Sequence, residues 1–199
     1  MKDFVSQYID ESCLILSSLN FSNIEKIAKH LSKVRDSNGR LFILGVGGSA
    51  GTASHAVNDF RKICLLESYT PVDNVSELTA RTNDDGWENT FSAWLKISKL
   101  NSKDAILVLS VGGGNMEKNI STNLVKAIDY AKTVNSTILG IVGKDGGYLK
   151  QNADVCIIIP PFFSDRITPH TEGLCSVILH LLVSHPLLKI DETKWESIK

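Results

Sequence analysis

Net charge is nearly absent: 21 basic residues are set against 22 acidic ones over 199 positions, leaving −1. Such a balance gives no electrostatic footprint for nucleic acid or an anionic membrane, and neither is expected as a partner. Cysteine is also scarce. Cys13, Cys64, Cys156 and Cys175 are widely spaced, with no CxxC and no pairing pattern. They read as small, mostly buried apolar residues in a reducing compartment. No run approaches the roughly 20 apolar residues that span a bilayer, and the opening Met1-Lys2-Asp3-Phe4 carries no apolar core followed by a small-residue cleavage site. A soluble, cytosolic protein is expected. Internal repeats, low-complexity tracts and Pro/Ser-rich linkers are lacking, as are a helix-opening GxGxxG and any GxxxxGK[ST], so nucleotide cofactors are not expected.

What is present suits one buried domain, with 43% hydrophobic residues. Strands are predicted at Leu41–Leu44, Ala105–Ser110, Thr137–Val142 and Val155–Ile159. Helices are predicted at Gly51–Leu66, Ser76–Thr82, Trp87–Leu100, Ser121–Val134 and Thr171–Ser184. Strands apolar throughout, alternating with helices, point to a doubly wound parallel α/β sheet covered on both faces. Ligands sit beyond the carboxyl ends of such strands. Two further helices are predicted ahead of the first strand, over Phe4–Leu19 and from Ser22 to the turn Asp36-Ser37-Asn38-Gly39. Their apolar stripes allow two readings: a lid over one sheet face, or packing against a second subunit.

The most informative segment is Gly45-Val46-Gly47-Gly48-Ser49-Ala50-Gly51, which runs from the first strand into a helix. Such a turn leaves backbone N–H groups aimed at one point, where the helix dipole favours negative charge, and Ser49 adds a hydroxyl. A phosphate or another small anion is the natural guest. Ser110-Val111-Gly112-Gly113-Gly114-Asn115 repeats this arrangement after a later buried strand; three consecutive glycines imply a special backbone path or close ligand approach.

Beyond the first turn, His55 and Asp59 share one helical face at i, i+4. Near the C-terminus Glu172 and His180 lie eight residues apart on an otherwise apolar helix. These four side chains suit an acid–base set for proton transfer or a four-ligand N/O site for zinc, and the residues alone leave both open. His170 and His185 read as end-of-helix residues, Asn83-Asp84-Asp85 as a polar cluster or helix cap, and Trp87 and Trp94 as core.

Taken together, Gly45-Val46-Gly47-Gly48-Ser49-Ala50 with His55 resembles the GxGGS…H pattern of the sugar isomerase (SIS) domain family, phosphoheptose isomerase branch. Asn83-Asp84, Ser110, Gly143-Lys144-Asp145-Gly146-Gly147, Asp165-Arg166-Ile167 and His180 follow in the order of that branch. The resemblance spans nearly the whole chain, both leading helices included. It implies a single SIS domain over 1–199, a three-layer αβα sandwich on a five-stranded parallel sheet. The helical pair 1–38 would serve oligomer packing in a cytoplasmic homotetramer. It further implies isomerisation of D-sedoheptulose 7-phosphate to D-glycero-D-manno-heptose 7-phosphate for heptose and surface-polysaccharide synthesis. Asp59 and His180 fall at the catalytic positions. Gly47, Gly48, Ser49, Asn83, Asp84, Ser110, Gly112, Ser121, Asp165 and Glu172 fall at positions that hold the phosphosugar. His55, Asp59, Glu172 and His180 fall where some members bind zinc. Three departures stand out: the serine-rich STSGNS loop has become Ser110-Val111-Gly112-Gly113-Gly114-Asn115, lengthened before Ser121, Asp59 replaces a glutamate, and Glu172 replaces a glutamine. The alternative the family offers is a non-catalytic SIS module that binds a phosphosugar or a protein such as a replication initiator.

Overall fold

The computed structural model describes residues 3–198; Met1 and Lys2, read above as the chain's opening, and Lys199 lie outside them. The elements run α1 (Phe4–Ser17), α2 (Phe21–Asp36), β1 (Leu41–Gly45), α3 (Gly48–Lys62), β2 (Ser68–Tyr69) and α4 (Val75–Asp85). A single 3-10 turn, Trp87–Asn89, precedes α5 (Thr90–Ile97), β3 (Ala105–Ser110), α6 (Thr122–Thr133) and β4 (Thr137–Val142). The remainder is α7 (Gly147–Asn152), β5 (Val155–Ile158), α8 (Ile167–Val183) and the short α9 (Lys194–Ser197). The strands form one parallel sheet in the order β2-β1-β3-β4-β5.

Side chains alternate across the sheet, so each strand feeds two cores. Leu41, Ile43, Leu107, Leu109 and Ile141 pack on the face covered by α1, α2, α3 and α8. Phe42, Leu44, Ile106, Val108 and Val142 pack on the face covered by α5, α6 and α7. The result is the three-layer sandwich expected. Its sequence order reverses between β1 and β3, and in such sheets the crevice at the reversal, beyond the strands' carboxyl ends, is where ligands bind. Ser49, in the first turn of α3, and Ser110, the last residue of β3, lie at that point.

At the opposite end of the strands Asp104 is buried and accepts from the Arg40 backbone and guanidinium and from the Asn101 backbone. This ties β1 to β3 at the end of the strands away from the Ser49 and Ser110 turns.

Several boundaries differ from expectation. β2 was not foreseen: two residues offer no periodicity. Helix α7 has six residues, too few to show an apolar face. The helix predicted over Trp87–Leu100 is broken into a 3-10 turn and α5, and Trp87 sits on the surface rather than in the core. Helix α8 begins at Ile167, four residues before Thr171, because Pro169 falls in its first turn, where a missing N–H costs nothing.

Of the leading helices, α2 is a core element: Ile24, Ile27, Ala28 and Leu31 are buried, and Asn23 Nδ2 donates to the Cys156 carbonyl at 3.0 Å. Helix α1 buries only Ile15 and Glu11, and leaves Phe4, Val5, Ile9 and Leu14 facing outward.

Candidate active site

Helices α3 and α8 lie side by side, and the groove between them is the first part of the site. Gly48, Thr52, His55 and Asp59 present one face of α3, and Ser176 and His180 one face of α8, around a cavity of about 320 Å³. Within it, Asp59 Oδ2 stands 3.0 Å from His55 Nε2 and 3.6 Å from His180 Nε2. Its other oxygen accepts from Asn58 Nδ2 at 3.0 Å. The two imidazole rings meet edge to face at 5.2 Å. Ligand atoms of His55, Asp59 and His180 all fall within 4.8 Å of one another, two nitrogens and one oxygen. That donor set fits zinc held by three protein ligands with a position left open.

Glu172 does not join this group, contrary to the four-ligand expectation. It precedes His180 by two helical turns, ~12 Å along the α8 axis. Its carboxylate lies instead against Gly48, where an added Cβ would stand 2.6 Å from Oε1. There it faces a second cavity, of about 250 Å³, lined also by Ser49, Ser110, Gly112, Ser121 and Lys144. Gly48 and Glu172 thus mark the seam between the two cavities.

The second cavity has the donors an anion needs. Ser49 lies in the first turn of α3, whose leading N–H groups have no intrahelical acceptor. Ser110 Oγ accepts from the Gly113 N–H at 3.0 Å, which leaves its own O–H free to donate. Ser121 adopts a left-handed conformation at the start of α6 and makes no side-chain cap bond. The glycine loop between them is held, not loose. An added Cβ at Gly113, where φ is +71°, would lie 2.0 Å from the Gly146 carbonyl oxygen. The Tyr148 and Leu149 N–H groups donate to the Gly114 and Gly113 carbonyls at 3.0 Å each.

A third cavity, of about 460 Å³, adjoins the second through Gly112, Ile120 and Lys144 and adds Lys118 and Asp145. Lys118 comes from a miniature hairpin closed by paired backbone bonds between Asn115 and Ile120.

Residues 7–143 match the SIS domain. The chain belongs to the SIS-domain family. Within it, the phosphoheptose isomerase of Fusobacterium nucleatum is 30% identical over 163 residues, covering 80% of this chain and 78% of that protein. The phosphoheptose isomerase of Aneurinibacillus thermoaerophilus is 26% identical over the full length of both. These place the chain in the phosphoheptose isomerase branch. Among solved structures, a phosphoheptose isomerase from Francisella tularensis superposes with a TM-score of 0.79 at 21% identity, covering 92% of this chain and 97% of that one.

The SIS motif residues are not all gathered. Gly47 is the N-cap of α3, with φ +62°. Asn83 and Asp84 lie inside the last turn of α4, exposed, with Asn83 Nδ2 donating to Asp84 Oδ1, and neither lines any of the three cavities. A Glu77–Arg81–Asp85 ladder runs along the surface of α4 itself. Asp165 is also exposed and outside the cavities, paired with Arg166 at 3.3 Å.

His170 is no simple end-of-helix residue. It is buried, with Nε2 2.9 Å from Glu11 Oε2, its ring stacked on Tyr8. Arg166 holds the same carboxylate through two bonds of 2.9 Å and, with lesser help from His170 and Gln7, keeps the Glu11 pKa down at about 2. This cluster fastens α1 to the start of α8. His185 lies beyond α8, with Nε2 3.3 Å from Glu25 Oε1. The sequence reading also missed Thr52, Ser176, Lys118 and Lys144 as lining residues. Thr52 and Ser176 had a signal: they share helical faces with His55 and with Glu172 and His180.

Cys64, Cys175 and Cys156 are unpaired thiols that burial pushes up to about 12, 12 and 11, while Cys13 is exposed. Among the described residues no helix is long and apolar enough to cross a membrane.

Proposed function

We propose that this chain is an aldose–ketose isomerase of a phosphorylated sugar, interconverting D-sedoheptulose 7-phosphate and D-glycero-D-manno-heptose 7-phosphate for heptose and surface-polysaccharide synthesis. The carrying observation is the seam at Gly48 and Glu172. On one side lies a cavity of hydroxyl and amide donors, on the other a carboxylate between two imidazoles. A sugar held by its phosphate in the first reaches the second with its carbonyl end. The names of the Fusobacterium and Aneurinibacillus relatives support the same substrate.

The phosphate docks on Ser49, Ser110 and Ser121 and the first amides of α3, and binding at this unreacting end orients the carbon chain. Asp59 removes the proton from the carbon next to the carbonyl. His180 Nε2 delivers a proton to the carbonyl oxygen, forming a cis-enediol, and the reverse transfers at the neighbouring atoms complete the exchange. In the alternative use of the same side chains, His55, Asp59 and His180 would hold a zinc ion that would supply Lewis-acid polarisation of the carbonyl, and Asp59 and His180 would then serve as ligands rather than as free base and acid. Glu172, displaced from that group, stays with the phosphate cavity in this reading. We also assign the chain to the cytoplasm, supported by its unpaired buried thiols, and to a homotetramer packed through the 1–38 helical pair, supported by the outward apolar stripe of α1.

The test is incubation with sedoheptulose 7-phosphate in deuterated water. Deuterium incorporation next to the carbonyl together with aldose product is expected. Tight binding without exchange would instead favour a non-catalytic SIS module, a reading that draws on the replacement of loop hydroxyls by Gly112, Gly113 and Gly114.

A further inference from the structure

The proposed phosphate cavity faces a full negative charge of the protein's own. The Glu172 carboxylate lines it and, among the described residues, makes no hydrogen bond or ion pair. A dianion entering beside an unpaired carboxylate is repelled unless a cation offsets the charge. The stretch Val111-Gly112-Gly113-Gly114 beside the cavity cannot supply that offset, since it carries no donors beyond the backbone.

One lysine is among the residues lining this cavity. Lys144, on the loop after β4, stands at the boundary with the adjoining third cavity and lines both. Its stem lies over Gly112, where an added Cβ would meet Lys144 Cδ at 3.9 Å. It holds a left-handed backbone with φ +47°, a conformation that non-glycine residues seldom adopt. Across the third cavity is Lys118, presented by the hairpin and braced by its backbone N–H on Asn115 Oδ1 at 2.8 Å. Among the described residues neither ammonium group is in an ion pair or a side-chain hydrogen bond. Unpaired charges of both signs gathered on adjoining cavities point to a missing charged guest.

Resting on the phosphate assignment above, we infer that Lys144 is a phosphate-binding residue of this site, with Lys118 as a second, outer cation, and that the pair selects a phosphate dianion despite Glu172. Lys144 makes the direct charge-assisted contact; Lys118, on the exposed hairpin, attracts the anion from the rim and is screened by salt.

The test measures inhibition by inorganic phosphate and the kinetics of sedoheptulose 7-phosphate in the full chain. Lys144→Gln should weaken inorganic phosphate roughly tenfold and raise KM by a similar factor, much more than it lowers kcat. Lys144→Arg, which keeps the charge, should stay within about threefold of the parent. Lys118→Gln should cost about threefold at low salt and little at high salt. Glu172→Gln should tighten inorganic phosphate and shrink the effect of Lys144→Gln, because the charge to be offset is gone. Unchanged phosphate affinity in Lys144→Gln, in a parent that does bind phosphate, overturns this inference and leaves the isomerase reading intact. A parent that neither binds inorganic phosphate nor prefers sedoheptulose 7-phosphate to unphosphorylated sedoheptulose removes the cradle itself, and both readings with it.

Discussion

In the proposed reaction Asp59 is the residue on which the chemistry turns, because its Oδ2 faces two imidazoles at once. Asp59→Asn keeps the shape of the side chain and removes the basic lone pair, while His180→Ala removes the proton carrier. Loss of a positioned acid or base costs about 10²- to 10⁴-fold in rate. Both variants should therefore fall by that order in kcat while holding sedoheptulose 7-phosphate within about threefold of the parent, as calorimetry can measure. Loss of binding in both, with folding unaltered by circular dichroism, would move these residues out of a catalytic role. Much of this was readable in the chain: the i, i+4 spacing of His55 and Asp59 guaranteed a shared face, and the small-residue turn announced the donors around Ser49. The position of Glu172 was not readable. Eight residues along a helix give the right face but the wrong height, and only the packing of α8 on α3 shows which side chains meet. Asn83 and Asp84 lie outside the three cavities of the single chain, and adjacency in sequence says nothing about which way α4 is turned.

At the level of elements, the placement of α8 depends on a buried ion cluster rather than on apolar packing alone. Glu11 on α1 is only 4% exposed and accepts from Arg166 and faces His170, both at the start of α8. Its carboxyl titrates at about 2, against an ordinary 4.5, with Arg166 as the main cause. A depressed carboxyl contributes stability in full above its unfolded value and loses it as pH falls through its folded one. The contribution of Glu11 is therefore complete above about pH 4.5 and lost as pH falls from there towards 2. Melting temperatures of the parent and of Glu11→Gln, measured across that window, should converge as pH drops, with the parent higher only at the upper end. Parallel curves would mean that the cluster contributes nothing specific to the charged form. The sequence showed the strands because β1, β3 and β4 are apolar runs of parallel-sheet type, and it hid this cluster because its members are separated by 155 and 159 positions. The same locality explains β2 and α7, which are too short to carry a period and are fixed by pairing with β1 and by the carbonyls of the glycine loop.

For the whole molecule, the decisive fact is how open the site is within one chain. The side chains of His55 and His180 are 59% and 57% exposed, whereas proton transfer through an enediol benefits from a site closed to water. Helix α1, packed on the start of α8, leaves Phe4, Val5, Ile9 and Leu14 half or more exposed among the described residues. Of these, Val5 and Ile9, four residues apart, form an apolar stripe on one face, which marks a protein–protein surface, and a second copy is the partner proposed above. Val5→Glu combined with Ile9→Glu places two charges in the stripe. Both side chains are at least half exposed in the single chain, so the protomer itself should lose only about 0.5 kcal/mol at each. Sedimentation of the parent should give a multiple of 21.8 kDa and of the double variant a species near 21.8 kDa, with a native circular dichroism spectrum. Turnover should fall with the mass if a neighbouring protomer closes the groove, and persist if α1 pairs away from it. An unchanged mass in the double variant would assign the stripe to something other than self-association, since two buried, unpaired carboxylates at a contact between copies cannot be accommodated.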